Sequence, residues 1–348
     1  MDTRIIILLS FMVFNLYTVE KDLKVISKQV EIECDNLGYP KKSALKSLIA
    51  AQYFNELNQS KISIKKIAGG HYSERMYVVT TKKNGKKEPL FFLKISKKSK
   101  STENLIKIQE GPIGQKFTEF INSHTNSLAI SKKDLPNIIW LALILVYKNK
   151  TGAQKTIEVT PSAQGQLIQS ILDSENAHDI KKAAYAIGKA LATFQQLFMN
   201  YHDSQDPRMW QTVCHGDFGI KNILFNPATS KVDFIDNETM EEGSIGRDLK
   251  TILTSMVMLR YLTKNNAIRW PLYLQHCLSF LQGYVESYPI DKRAELVVFI
   301  EETLDRALDK NLRKRIIHDT TVDRKKFNEK EFKKIMYHYL HQFNKRLL

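Results

Sequence analysis

Apolar and polar positions recur with different rhythms in the two halves of the chain. Lys42 to Leu57 places apolar residues at helical spacing and stops at Asn58-Gln59-Ser60, which predicts a helix. Ile62, Ile64 and Ile67 then lead to Gly69-Gly70, Met76–Val79 to Lys83-Asn84-Gly85, and Leu90–Leu93 follows at once. Asn-Gly between two β-rich runs predicts a hairpin, so 61–96 reads as strand, glycine turn, strand, hairpin, strand. A helix is expected at 101–123, interrupted by Gly111-Pro112. Two strands follow, Ile138–Tyr147 and Thr156–Thr160, with a turn at Asn149–Gly152. The first half thus reads as an antiparallel sheet with one helix.

Beyond residue 160 the rhythm becomes helical. Ile180, Ala183, Ala184, Ile187, Ala190, Leu191, Phe194, Leu197 and Phe198 share one helical face, predicting a long amphipathic core helix over 176–201. A short β-like island at Val213–Phe234 follows, then helical patterns near 248–263, 271–287, 293–312 and 328–346. The change of rhythm predicts two lobes, 23–160 and 161–348, with a cleft between them where ligands prefer to bind.

The segment Ile5–Val19 is nearly all apolar. It is shorter than the roughly 20 residues of a spanning helix. Its length suits the core of a signal peptide, although no small-residue cleavage pair follows it. Two readings stand. Residues 1–22 are a signal peptide or anchor, which implies a secreted or membrane-anchored protein, or they open the fold of a cytoplasmic one. Any membrane contact is expected through this segment alone.

Composition narrows the classes. A 43% hydrophobic share of 348 residues is enough for a sizeable core, which excludes a disordered chain. Cys34, Cys214 and Cys277 are too few for a disulfide framework and none forms a CxxC, so a structural zinc is unsupported. The formal net charge of +15 admits an anionic partner. The lysines are scattered, however, and arginine does not interleave with aromatics as in single-strand binders. A solvated basic surface is expected and nucleic acid is not.

The densest polar chemistry lies between Val213 and Leu249. Phosphoryl transfer needs positioned charge more than covalent chemistry. Asp217, on a tight loop, suits the alignment and deprotonation of an acceptor hydroxyl. Magnesium takes hard oxygen ligands and keeps several waters, so Asp236 and Asn222 suffice to hold it. Lys94 sits in the apolar strand Phe91-Phe92-Leu93-Lys94-Ile95, where a charge needs a partner.

The pattern His215-Gly216-Asp217, then Asn222, then Ile235-Asp236-x-Glu238 resembles the aminoglycoside phosphotransferase and choline kinase group, relatives of the protein kinases. The resemblance implies an α+β, two-lobed protein-kinase-like fold. Its N-terminal lobe would be an antiparallel sheet with one helix, and its C-terminal lobe mostly helical. It also implies an ATP- and Mg2+-dependent kinase acting on a hydroxyl of a small molecule. Asp217 would be the catalytic base, Asn222 and Asp236 the metal ligands, and His215 a brace of the catalytic loop. Asp248, in Gly246-Arg247-Asp248-Leu249, would cap or brace the next helix.

In the first half, Gly69, Gly70 and Ser73 resemble the family's phosphate loop, with one extra residue before Ser73 and Glu74 replacing an Asn. The corresponding lysine of the family grips the α- and β-phosphates, a role that falls to Lys94. Its partner should be a Glu on the following helix. Among Glu103, Glu110 and Glu119 the expectation is Glu110, with Ile106, Ile113 and Phe117 packing around it. Glu158 and Val159 resemble the hinge whose backbone meets the adenine. Gly219 stands where Ser/Thr protein kinases carry a Lys, which favours a small-molecule acceptor. Trp270, Tyr273, Tyr284 and Tyr288 with Glu286 are candidates for a cation pocket, with core packing expected for most of them. The alternative to an active kinase is a catalytically weak pseudokinase that binds nucleotide or serves as an interaction module.

Overall fold

The structure is a computed structural model. It describes residues 26–53, 62–67, 74–83, 86–97, 100–123, 132–149, 151–163, 165–173, 176–200, 204–262, 266–306, 334 and 341. The apolar segment 5–19, the loop residues 69–73 and most of the expected helix 328–346 lie outside the described residues. The described residues divide into two compact units, one from 1–124 and 139–162, the other from 125–138 and 163–348.

The first unit is built on a six-stranded sheet. Its strands are β1 (Ile26–Gln29), β2 (Ile62–Ile67), β3 (Arg75–Lys83), β4 (Lys86–Lys97), β6 (Leu143–Lys148) and β7 (Gln154–Pro161), in the order β1-β6-β7-β4-β3-β2. Lys83 pairs with Lys86, so β3 and β4 form the antiparallel hairpin that Asn84-Gly85 announced. Edge strand β1 runs parallel to β6, so the sheet is not purely antiparallel as expected.

Successive side chains on a strand point to opposite faces, and the two faces of this sheet differ in chemistry. Phe91, Leu93 and Ile95 of β4 join Ile157 and Val159 of β7 and Leu143 and Leu145 of β6 in one apolar cluster. Helix α1 (Lys42–Tyr53) covers it with Leu45 and Ile49, both without solvent exposure. Each such side chain contributes about 1.5–3 kcal/mol by leaving water. The other face carries Lys94 and Ser96 of β4 beside Thr156 and Glu158 of β7. Helix α2 (Lys100–Glu110) packs there through Leu105, against Leu141 and Ile144. Gln109 fixes α2 by donating to the Leu141 carbonyl and accepting its N–H, both at 2.9 Å.

Gly111-Pro112 is a junction between two helices. Gly111 is the N-cap of α3 (Pro112–Asn122), and a proline at the first helical position gives up an N–H that would lack a partner in any case. The single helix predicted over 101–123 is therefore two, whereas α1 follows the helix predicted from Lys42. The apolar run from Ile138 is likewise divided. Asn137–Ile138 (β5) pairs in the second unit with β11 (Lys231–Phe234), whereas β6 belongs to the first. Apolar character shows that a residue is buried but not in which sheet.

The second unit centres on α5 (Ala177–Phe198), whose N-cap Asn176 accepts the His178 N–H at 3.1 Å. A short helix α4 (Ile168–Asp173) precedes it. α5 lies so close to α7 (Asn266–Glu286) that a Cβ on Gly188 would stand 2.0 Å from the Phe280 carbonyl oxygen. Strands β8 (Gln166–Leu167), β10 (Ile223–Asn226) and β11 (Lys231–Phe234) complete a sheet of order β5-β11-β10-β8. β9 (Gln211–Cys214) pairs with β12 (Glu241–Ser244), and α6 (Gly246–Leu262) and α8 (Arg293–Arg306) finish the described unit. Among the described residues no helix is long and apolar enough to cross a membrane.

Candidate active site

β9 ends at Cys214, and the chain then turns through His215-Gly216-Asp217. Gly216 has φ +84, a left-handed backbone that disfavours a side chain, and a Cβ there would lie 2.3 Å from the Thr239 carbonyl oxygen. The turn is fastened from below by Asp248 in the first turn of α6. Its carboxylate accepts the His215 N–H at 2.8 Å and the Gly216 N–H at 3.0 Å. Burial pushes the Asp248 carboxyl up, against the pull of the two N–H bonds. Asp248 was expected to cap or brace its helix; the bonds its carboxylate makes are to the loop.

His215 has no solvent exposure. Its Nε2 lies 3.0 Å from the Ile235 carbonyl, which can only accept, so Nε2 carries the proton. Nδ1 has no hydrogen-bond partner among the described residues. Phe218 and Phe234 meet the ring edge-on, and burial lowers its pKa. A neutral imidazole enclosed in this way ties the end of β9 to the residue before Asp236.

Asp217 is exposed, whereas Asn222, five residues on, is 8% exposed. The Asn222 side-chain N–H donates to the Asp217 carbonyl at 2.8 Å and to its Oδ2 at 3.0 Å. This fixes the orientation of the amide. The Ile235 N–H donates to the Asn222 carbonyl at 3.0 Å, which ties the backbone before Asp236 to Asn222. Asp236 is exposed and holds a left-handed backbone at φ 62, uncommon outside glycine and frequent at functional sites. Asp217, Asn222 and Asp236 therefore gather on adjoining turns at one end of β10 and β11. The Asp236 carboxylate and the Asn222 amide oxygen are hard oxygen donors of the kind magnesium takes.

In the first unit, Lys94 and Glu158 are direct partners across β4 and β7. Lys94 Nζ is 3.8 Å from Glu158 Oε2, and Thr102 of α2 donates to Oε1 of the same carboxylate. A carboxylate set against Lys94 is thus that of Glu158 on the neighbouring strand; Glu110, the expected helical partner, lies half-buried at the end of α2. Glu158 and Val159 are also not at a junction. They sit inside β7 with β4 and β6 on either side, and the Val159 carbonyl accepts the Ala142 N–H at 2.9 Å. A strand paired on both edges uses its backbone groups in the ladder, which corrects the assignment of this pair to adenine. Gly69, Gly70 and Ser73 lie outside the described residues. Tyr284 and Tyr288 are core, their hydroxyls 3.1 Å apart and Tyr284 donating to Gln195 Oε1 at 2.6 Å. Glu286 accepts from the Tyr185 hydroxyl at 2.7 Å.

Residues 124–282 match the model of the ecdysteroid kinase-like family. The chain is similar to small-molecule kinases. The matched span contains the whole His215–Asp248 constellation. Among solved structures, an amicoumacin kinase in complex with AMP-PNP, Ca2+ and Ami is 11% identical with a TM-score of 0.47, over 89% of this chain and 95% of that one. The GDP complex of a variant aminoglycoside 2'-phosphotransferase is 12% identical with a TM-score of 0.40, over 80% of this chain and 99% of that one. No curated protein sequence matches. Sequence reasoning missed Thr102 and Thr239. Thr239 donates to the His215 carbonyl at 2.8 Å. Neither threonine stands in a motif, so only proximity in the fold reveals them.

Proposed function

We propose that the protein transfers the γ-phosphate of ATP, with Mg2+, to a hydroxyl of a small molecule. The observation that carries this reading is the Asn222 side chain, which donates to both the carbonyl and the carboxylate of Asp217. In this reading Asp217 Oδ1 accepts the acceptor hydroxyl proton while Asn222 holds Oδ2 still. The acceptor oxygen bonds to the γ-phosphorus as the bond to the β-phosphate oxygen breaks, and ADP leaves. Asn222 Oδ1 and Asp236 would hold the ion, which when bound offsets charge on the phosphate oxygens. Lys94 would hold the nucleotide phosphates. The buried His215 and Asp248 keep the loop in one conformation, so little reorganisation is required at the moment of transfer.

The match to a kinase-like family supports this reading, as does Gly219 at the position where protein-directed kinases carry a lysine. The test is thermal shift and calorimetry with Mg-AMP-PNP, then an acceptor screen over alcohols, aminoglycosides and nucleosides. Asp217→Asn should keep nucleotide affinity within about threefold and lower turnover by a hundredfold or more. Asp236→Ala should instead weaken Mg-nucleotide binding. Absence of magnesium-dependent nucleotide binding by the wild-type protein would refute the reading.

A further inference from the structure

The β3–β4 hairpin is longer than the sheet around it. β2 pairs with β3 as far as Thr81, and β7 with β4 as far as Phe91. Among the described residues, 82, 83, 86 and 87 pair only with one another, Lys82 opposite Lys87 and Lys83 opposite Lys86. Like charges set directly opposite on a ladder repel, and a two-stranded ribbon has little stability to spare. Lys82 and Lys87 are exposed, as are Glu88 and Pro89. Glu88, across from Thr81, is the hairpin's acidic residue, so the tip carries four lysines to one carboxylate.

Register relates this tip to the apolar segment Ile5–Val19. Ile26 of β1 lies in one cross-strand row with Leu143, Val159 and Leu93. β1 is parallel to β6 and so runs the same way as β4, away from the tip; its N-terminal end is turned towards the lysines. Leu93 is seven residues from Lys86, about 24 Å of strand. Ile26 is likewise seven residues from Val19, a reach of up to about 25 Å. The apolar segment can therefore end level with the lysines.

We propose that the β3–β4 tip docks on a membrane bearing anionic lipid headgroups, with Lys82, Lys83, Lys86 and Lys87 as the charged contact and Ile5–Val19 as the apolar one. Headgroup phosphates offset the repulsion between opposed lysines, and a basic cluster within reach of an apolar segment supplies the two signals that stable anchoring takes. A nucleic acid would answer the lysines and leave the apolar segment without a partner. The proposal uses nothing of the phosphotransferase reading.

Vesicle flotation of the full chain tests it. Phosphatidylcholine vesicles with about 30% phosphatidylserine should bind at least tenfold more tightly than phosphatidylcholine alone, and about 0.5 M NaCl should remove most of that difference. A lysine near an anionic surface is worth about fivefold, so Lys82→Gln with Lys87→Gln should weaken binding by about tenfold. Its melting midpoint should stay level or rise, because a like-charge pair is removed. Adding Lys83→Gln and Lys86→Gln should abolish the preference for anionic vesicles. Changing four exposed lysines elsewhere to Gln (Lys65, Lys66, Lys148 and Lys181) should cost less than about threefold. An equal loss in that control set, a lowered midpoint in the double variant, equal binding to neutral vesicles, or tighter retention by duplex DNA at the same salt overturns the proposal.

Discussion

His276 on α7 is fully buried, and neither ring nitrogen has a hydrogen bond of ordinary geometry among the described residues. Burial drives its pKa from the ordinary 6.5 down to about 4, with a partial opposing pull from the Ile180 backbone. The unfolded chain therefore takes up a proton as pH falls through 6.5, and the folded chain does so only near 4. Stability contributed by the neutral ring is complete above about pH 6.5 and is lost as pH drops towards 4, at up to about 1.4 kcal/mol per pH unit. Over the whole window that amounts to roughly 3 kcal/mol. His215 is buried and shifted in the same direction, and the buried Asp248 carboxyl shifts so as to oppose it, so the wild-type profile alone sums several groups. The difference between wild type and His276→Leu isolates the one ring. Urea unfolding followed by circular dichroism at pH 7.0 and 4.5 should show the wild type losing roughly 2 kcal/mol more than the variant. At pH 7 the variant should equal or exceed the wild type, because a buried ring with unanswered nitrogens is replaced by an apolar side chain. Parallel pH profiles for the two proteins would refute the reasoning.

Asp248→Ala should cost about 2–4 kcal/mol, since it leaves the His215 and Gly216 N–H groups unanswered beneath the loop; denaturant titration measures it, and a loss below 1 kcal/mol would contradict the bracing role. Gly188→Ala should lower stability by more than about 1 kcal/mol by forcing α5 and α7 apart, because its Cβ would meet the Phe280 carbonyl at 2.0 Å, and Gly188→Ser should be no better. Burial pushes the Cys277 thiol up to about 12 and raises that of Cys214 further. Both should react with a thiol reagent such as DTNB only in denaturant, and labelling of either in the native protein at pH 8 would count against the packing described.

Much of the fold was legible in local pattern. The helix over 177–198 follows from apolar residues on one face and an asparagine cap, and the β3–β4 hairpin from Asn-Gly between β-rich runs. The kinase-like constellation was readable because Asp217, Asn222 and Asp236 lie within one short span, where a loop and two short strands leave few ways to arrange them. The two-residue strand β5 shows the opposite case. Its apolar neighbours run on without interruption, and nothing local says that Asn137–Ile138 pairs in one unit while Leu143 pairs in the other. β1 was missed because its sequence, Ile26-Ser27-Lys28-Gln29, has little apolar character and is held by its ladder to β6.

Sequence alone determined the elements and the chemical identity of the candidate site, because helical period, strand alternation and turn residues act over a few positions. Tertiary structure decided which groups answer one another. Asp248 reaches back 33 positions to His215, and Thr102 reaches forward 56 to Glu158. Lys94 finds a carboxylate on the adjacent strand because cross-strand register sets that neighbour. Such pairings depend on how distant segments are brought together, and the free-energy cost of a buried, unanswered polar group selects among them only once the chain has folded.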